Sequence, residues 1–498
     1  MSEPEEELQE EQRDNTKKKK KKKEQRSGKK KKKEKQEHEE QVEVEVEEQS
    51  ECVVLRGIFK LGKKSHDVLL TRTRLTWTPI IPETPTGDVS MLQPGVVLLQ
   101  DVFAVKVKRR RAASQQSGGP VLGVAVFYGR RKGRRLEEDT LHLHNASAEH
   151  TNTWYNTLKE LLTGFSSRPR YVKVFINPSS HKKEAVHIYR EHVAPLFKMA
   201  DVRTDITVTE RKGHALSVMK ECKLDEYDGV VCVGGDGSVA ELCHALVLRA
   251  QLDADSPVKP VKAVLPLGII PAGSTDVVSC SVHGVRDPVT AALHIVLAPP
   301  PSPLPTSSQC VNVLMSCLKT KSDPLFLRDQ DPDLDPEPEG EESWTTNQGL
   351  YLSISIMSIP CLSPHAPQGL APNTSVANGS AALIAVGNTS RSEFIKHLKR
   401  YSSSSGQFSF SFVETHSVSA VRIRPRLPTG WSEEESEEEG DPRTTPIIQA
   451  EGTAFPWNID GELVEIANEV VIRVHPRLIT LYGEEVDEAE STVSCSCI

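Results

Sequence analysis

Val230-Val231-Cys232-Val233-Gly234-Gly235-Asp236-Gly237-Ser238 reads as a buried strand running into a glycine turn with one carboxylate and one hydroxyl. Glycines let backbone approach a ligand closely and take positive φ, and N–H groups freed in such a turn can cradle phosphate oxygens. Behind the turn, Val239-Ala240-Glu241-Leu242-Cys243-His244-Ala245-Leu246 repeats its apolar residues at helical spacing. The turn therefore abuts a helix N-terminus, which favours anions. Asp236, at the strand end, is placed to orient a divalent cation or to draw a proton from a substrate hydroxyl. An ordinary tight turn can be written with the same glycines. What argues for a site is that strand, Gly-Gly-Asp-Gly and helix coincide.

Outward from this turn, residues 168–298 alternate strand and helix. Val172–Ile176, Asp205–Thr209, Gly229–Val233 and Leu265–Ile270 read as strands, while Ala185–Met199, His214–Cys222 and Pro288–Leu297 carry helical periodicity. Repeated β-α units predict a three-layer α/β domain with a parallel sheet, and ligands bind at the carboxyl edge of such a sheet. Asp236 and Pro271-Ala272-Gly273-Ser274-Thr275-Asp276 both lie just past strand ends, on that edge.

The flanks read differently. Residues 52–165 give short strands (Val53–Phe59, Asp67–Leu70, Arg74–Trp77, Val102–Val107, Val121–Tyr128, Thr140–Leu143). One amphipathic helix closes them, carrying Trp154, Leu158, Leu161 and Leu162 on one face. This pattern resembles a pleckstrin-homology-like β-barrel. Lys60, Lys63, Lys64, Arg72 and Arg74 lie near its first hairpins, where such modules gather phosphoinositide headgroups. A protein-binding or purely structural module reads equally from the same strands. Residues 299–344 are Pro-rich and acidic and read as a linker. Residues 345–487 read as a β-sandwich domain, with strands at Leu350–Ile356, Leu383–Val386, Phe408–Val413, Val418–Ile423 and Val470–Tyr482 and a helix at Arg391–Tyr401. Residues 488–498 read as a flexible tail.

Composition sets outer limits. The 498 residues leave room for more than one core, while the 37% apolar fraction and 33 prolines predict that part of the length stays unfolded. The net charge of -8 conceals basic runs at Lys17–Lys23 and Lys29–Lys33 and an acidic one at Glu433–Glu439. The tail of residues 1–50 is low-complexity Lys and Glu, either a solvated face or a signal for nuclear import or RNA. No stretch reaches the roughly 18 apolar residues of a membrane span, and no apolar signal segment opens the chain. The ten cysteines show no paired CxxC spacing, which predicts reduced thiols rather than disulfides or zinc. Cys495-Ser496-Cys497-Ile498 matches a prenylation box poorly, since the residue before the last is Cys rather than aliphatic.

Asn177-Pro178, Thr209-Glu210 with His214-Ala215, Gly234–Ser238, Pro271–Asp276 and Asp460-Gly461-Glu462, taken in order, resemble the diacylglycerol-kinase catalytic family. Trp457–Glu462 and the N-terminal module place the resemblance in its ceramide kinase branch. It spans roughly residues 52–298 and 345–487. The resemblance implies an α/β domain of the diacylglycerol/NAD kinase type, with ATP and Mg²⁺ between it and the β-sandwich. It implies Asn177, Thr209, Gly234, Gly235, Gly237, Ser238, Gly273, Ser274, Thr275, Asp460 and Glu462 as nucleotide-binding residues. Asp236 is implied as the catalytic residue, and Asp236 with Asp460 as metal ligands. Positioning and charge neutralisation of this kind suit phosphoryl transfer.

Two departures from the family are expected to weaken catalysis. The loop after Asn177-Pro178 reads Ser179-Ser180-His181-Lys182-Lys183 where the family carries glycines, and nothing after Ala298 matches the opening of the family's second domain. The expected function is thus a lipid-kinase fold with weak or no ceramide phosphorylation. It would act as a lipid- and nucleotide-sensing regulator of cell survival under stress, in cytoplasm and nucleus with peripheral membrane association. The expected partners are a membrane lipid or phosphoinositide at the pleckstrin-like module and the nuclear import machinery at Lys17–Lys33; nucleic acid is a weaker expectation. The alternatives are an active ceramide, sphingoid or diacylglycerol kinase, and a scaffold shuttling between nucleus and membranes.

Overall fold

The computed structural model describes residues 52–81, 94–110, 118–298, 309–320, 344–376, 379–400, 406–425, 447, 457–460, 462–464, 469–484 and 486. The expected tails at 1–50 and 488–498 lie outside them, as does the acidic run. Two compact units emerge, one holding the described residues of 1–100, 106–126 and 142–161, the other those of 101–105, 127–141 and 162–498. Parts of three N-terminal strands group with the second unit.

The N-terminal strands are β1 (Val53–Leu61), β2 (Lys64–Thr71), β3 (Arg74–Pro79), β4 (Gly95–Leu98), β5 (Val102–Arg109), β6 (Val121–Lys132) and β7 (Arg135–His144). They form one seven-stranded sheet in the order β4-β3-β2-β1-β7-β6-β5. The short β4 had no clear alternation in the sequence. Its end strands β4 and β5 are not hydrogen-bonded to each other among the described residues, so a sheet is established and a closed barrel is not. Helix α1 (Ala148–Thr163) starts where Ser147 Oγ accepts the His150 N–H at 3.2 Å, satisfying one orphan donor of the first turn. It buries Thr151, Trp154 and Leu158, spaced to share one face, and the Trp154 indole meets Phe59 edge-on at 4.9 Å.

In the second unit, β8 (Tyr171–Ile176), β9 (Arg203–Val208), β10 (Gly229–Gly234) and β11 (Leu267–Pro271) pair in parallel in the order β9-β8-β10-β11. β10 is buried at every residue, as its run of Val and Cys predicts for a central parallel strand. Helices cover both faces. On one lie α2 (Ala185–Ile188), a π turn (Tyr189–Val193), α3 (Ala194–Met199) and α7 (Pro288–Val296). On the other lie α4 (His214–Glu221) and α5 (Asp236–Asp253). Helix α6 (Val277–His283) follows β11. The three-layer expectation therefore holds.

The C-terminal expectation is corrected in two places. The region read as a linker contains β12 (Gln309–Thr320), which pairs antiparallel along β19 (Val470–Gly483). β19 in turn pairs in parallel with β11 at Leu267↔Leu481, and β16 (Ala420–Ile423) pairs with β19. These strands extend the α/β sheet instead of closing a separate sandwich. The rest comprises a three-stranded sheet of β13 (Tyr351–Met357), β14 (Ala381–Gly387) and β15 (Val413–Val418), with α8 (Arg391–Lys399) and a hairpin of β17 (Trp457–Ile459) and β18 (Glu462–Val464). The expected strand Phe408–Val413 is mostly turn, because Phe410 and Phe412 tilt against each other at 5.1 Å and pack edge-on to the buried His397. Among the described residues no helix is long and apolar enough to cross a membrane.

Candidate functional site

The strand order reverses direction between β8 and β10, and in open α/β sheets ligands bind outside the carboxyl ends at such a switch point. Both loops leaving that point carry motif residues. Asn177, just past β8, donates from Nδ2 to Ser238 Oγ at 2.8 Å and accepts the Ser179 N–H on Oδ1 at 3.0 Å. One side chain thereby ties the β8 loop to the first turn of α5.

The glycines divide by physical role. None of Gly234, Gly235, Gly237 and Gly273 takes positive φ, so the expectation of left-handed backbone in this turn is corrected. Close approach is what the site requires. A Cβ on Gly235 would stand 2.9 Å from Gly273 Cα, and one on Gly273 would stand 2.5 Å from Gly235 Cα. The two loops touch backbone to backbone there, and a Cβ on Gly234 would crowd Ser238 Oγ at 2.7 Å. Only at Gly237 would a Cβ meet nothing within 4 Å, so that face of the α5 N-terminus is open. The N-cap, Gly235, supplies no side chain to the helix.

Asp236 has an occupation the sequence did not reveal. Its Oδ2 accepts the Val277 N–H at 3.1 Å and its Oδ1 the Val278 N–H at 3.0 Å. The carboxylate thus caps α6 across the site. Beside it, Asp276 is 1% exposed at φ +56° and accepts the Gly273 N–H at 2.8 Å and Arg286 Nε at 2.7 Å. Arg286 also donates to the Gly273 carbonyl. Burial pushes the Asp276 carboxyl above its ordinary value, against the pull of Arg286. Ser274 is exposed and Thr275 half-buried on the loop this pair fixes.

Other expected residues spread along the same edge. Thr209 turns back on β8, its hydroxyl donating to Ile176 O at 3.3 Å, so the structure gives it an anchoring contact. His214 Nδ1 accepts the Glu210 N–H at 3.1 Å, and Glu241 of α5 accepts the Ala215 N–H at 3.0 Å. In the loop after Asn177, His181 and Lys183 take φ +41° and +63°. Glycine-like backbone is kept there by residues that carry side chains. Asp460 sits exposed at φ +50° at the tip of the β17–β18 hairpin, where a two-residue Asp-Gly turn favours that conformation. Glu462 pairs with Ile459 through its backbone, and its side chain lies outside the described residues.

Cys361 feels the charges of both Asp236 and Asp460. Burial foremost, then the charges of Asp236 and Asp460, push that thiol up to about 12. Cys361 itself adopts φ +56°. Sequence reading had no signal for Cys361 or Arg286, because neither belongs to a spaced motif. Among the described residues no cluster of three or more His, Cys, Asp or Glu is built to hold a metal by itself.

The Diacylglycerol kinase catalytic domain model matches residues 171–300 and the Ceramide kinase C-terminal domain model matches residues 307–498. The second match begins inside the region expected to lack any family counterpart, and corrects that expectation together with β12. The chain is 40% identical to the human Ceramide kinase-like protein over 89% of its own length and 92% of that protein's. It is 29% identical to mouse Ceramide kinase, over 82% of this chain and 92% of that one. Against human Ceramide kinase the identity is 30%, over 67% and 77%.

Proposed function

Because the chain belongs to the ceramide kinase family, we propose that its switch-point site binds the phosphates of ATP while phosphorylating ceramide weakly or not at all. The observation that carries this reading is the pair of backbone N–H bonds to Asp236. A carboxylate whose two oxygens already hold the first N–H groups of α6 is tied in place and less free to turn toward a substrate hydroxyl.

The residues present fit a nucleotide. Helix α5 has no side-chain cap, and Gly237 leaves open space beside its first turn, where backbone N–H groups and the helix dipole favour phosphate. Ser274 and Thr275 are offered on the neighbouring loop, and Lys182 and Lys183 add positive charge along the same edge. A divalent ion fits if it is shared with those phosphates. Mg²⁺ needs only one or two protein carboxylates in such sites, and Asp236 and Asp460 are the candidates. The bound ion would neutralise charge on the transferred phosphoryl group.

Asp236, placed at the end of β10 beside the open first turn of α5, favours a second reading, an active kinase for a ceramide, sphingoid or diacylglycerol hydroxyl. Calorimetric titration of Mg²⁺-ATP into the full chain, beside its Asp236→Asn variant, tests the first. Saturable binding weakened by the variant supports a live phosphate site, and absence of heat ends the nucleotide reading. Phosphate transfer to ceramide vesicles at a rate matching an active ceramide kinase would establish the second reading instead.

The remaining functions follow from composition and resemblance. The N-terminal sheet and α1 support a pleckstrin-homology-like module engaging phosphoinositide or other membrane lipid near Lys60, Lys63, Lys64, Arg72 and Arg74. The lysine runs support nuclear import, with exchange between cytoplasm and nucleus. A lipid- and nucleotide-sensing role in cell survival under stress rests on the family alone.

A further inference from the structure

A surface in the second unit, away from the switch-point edge, combines cations with bare apolar side chains. The loop from α5 to β11 runs Pro257-Val258-Lys259-Pro260-Val261-Lys262-Ala263-Val264. It enters β11 at the amino end of the parallel sheet, whereas the candidate site lies at the carboxyl end. The Ala263 N–H donates to Leu478 O at 2.8 Å, which lays the loop along β19. Ala263 itself is buried. Its neighbour Val264 is 80% exposed and Val258 63% exposed, while Lys259 and Lys262 are exposed between them. Leu252, at the end of α5 leading into this loop, is 53% exposed.

The facing stretch of β19 adds more positive charge. Arg473 and Arg477 are exposed, and Arg477 is turned outward into the left-handed region at φ +63°. His475 lies between them. Burial, then the charges of Arg473 and Lys259, hold its imidazole below the ordinary value. The acidic residues nearest in sequence are Asp253, paired with Arg249 at 2.8 Å, Asp255, and the buried Glu469, paired with Arg424. Four cations and a histidine thus outweigh them.

We propose that this surface, formed by Val258, Lys259, Lys262 and Val264 with Arg473 and Arg477, docks on an anionic lipid bilayer. An apolar side chain held out beside the lysines has no gain in water. At a membrane interface it enters the headgroup and acyl boundary while the lysines meet phosphates. A purely acidic protein ligand would use the cations and leave Val258 and Val264 unpaired, so a bilayer matches both halves of the pattern. The contact is distinct from the N-terminal module and from the nucleotide site, and it would hold the second unit against the membrane by its amino edge.

Because a lysine-rich tail would also attract anionic lipid, the test must be resolved by segment. Hydrogen–deuterium exchange of the full chain is followed at residues 253–266 and 469–478, alone and with vesicles of phosphatidylcholine or of phosphatidylcholine with phosphatidylserine. Protection is expected in both segments with the serine lipid only, and should be lost at high salt. Lys259→Glu with Lys262→Glu should abolish it and weaken vesicle affinity of this surface at least about tenfold, each basic residue contributing comparably. The thermal midpoint without lipid should not change, both side chains being exposed. No protection, or equal protection by the neutral vesicles, overturns the proposal. Protection present without lipid and removed by deleting Glu433–Glu439 also overturns it, in favour of the chain's own acidic run as occupant.

Discussion

At φ +63° Lys183 holds a conformation that costs an L-residue about 1 kcal/mol or more, and His181 does the same at φ +41°. Lys183→Gly is expected to raise stability by about 0.5 kcal/mol, the relief of strain exceeding the added freedom of the unfolded chain. Urea unfolding checks it, and a loss of stability would show that the lysine side chain earns its place by contacts. Asp236 behaves oppositely. Asp236→Ala leaves the Val277 and Val278 N–H groups without their acceptor, which should cost about 1–3 kcal/mol even without nucleotide. Asp236→Asn keeps one carbonyl acceptor and should cost less. An Ala variant as stable as the wild type would remove the capping role. Both residues belong to motifs legible in the sequence; what each one touches was not.

Among elements, α6 and α7 carry a buried pair that predicts pH dependence. His283 Nε2 contacts Ile269 O at 3.1 Å and its Nδ1 meets His294 Nδ1 at 2.8 Å, the rings stacked 5.0 Å apart. Burial first, then the neighbouring imidazole, lowers His283 to about 3; burial first, then Arg131, lowers His294 to about 4. In the unfolded chain both titrate near 6.5, so on acidification it binds protons that the folded chain refuses. Stability should therefore be complete above about pH 6.5 and fall by several kcal/mol as pH drops toward 4. Denaturant midpoints at several pH values test this, and His294→Gln should flatten the slope. A midpoint unchanged between pH 7 and 5 in the wild type would contradict the buried neutral pair. Loop contact at the element scale makes a further prediction. Gly273→Ala puts a methyl 2.5 Å from Gly235 Cα, so the loops must separate, and both stability and Mg²⁺-ATP affinity should fall. Unaltered affinity in calorimetry would show that the loop contact does not shape the phosphate site.

For the whole molecule, the decisive feature is β19, which joins β12 on one side to β11 and β16 on the other. The two matched family segments therefore share one sheet. Val474 N–H turns to Ser419 O, which leaves Arg473 facing β12, so Cys317→Pro opposite it would remove a ladder donor and should cost several kcal/mol, read as a lowered thermal midpoint for the second unit. A midpoint equal to the wild type would mean that β12 contributes little to that sheet. By itself the sequence determined the parallel core, the switch-point glycine turn and the residues at its edge. Those depend on local periodicity and on residue types whose demands act within a few positions of chain. Only the tertiary structure decided that a supposed linker contains a strand, that β19 extends the α/β sheet, and that Asp236 caps a helix from another loop. Strand pairing and cross-loop hydrogen bonds join residues far apart along the chain, and their partners are chosen by packing, on which local propensity is silent.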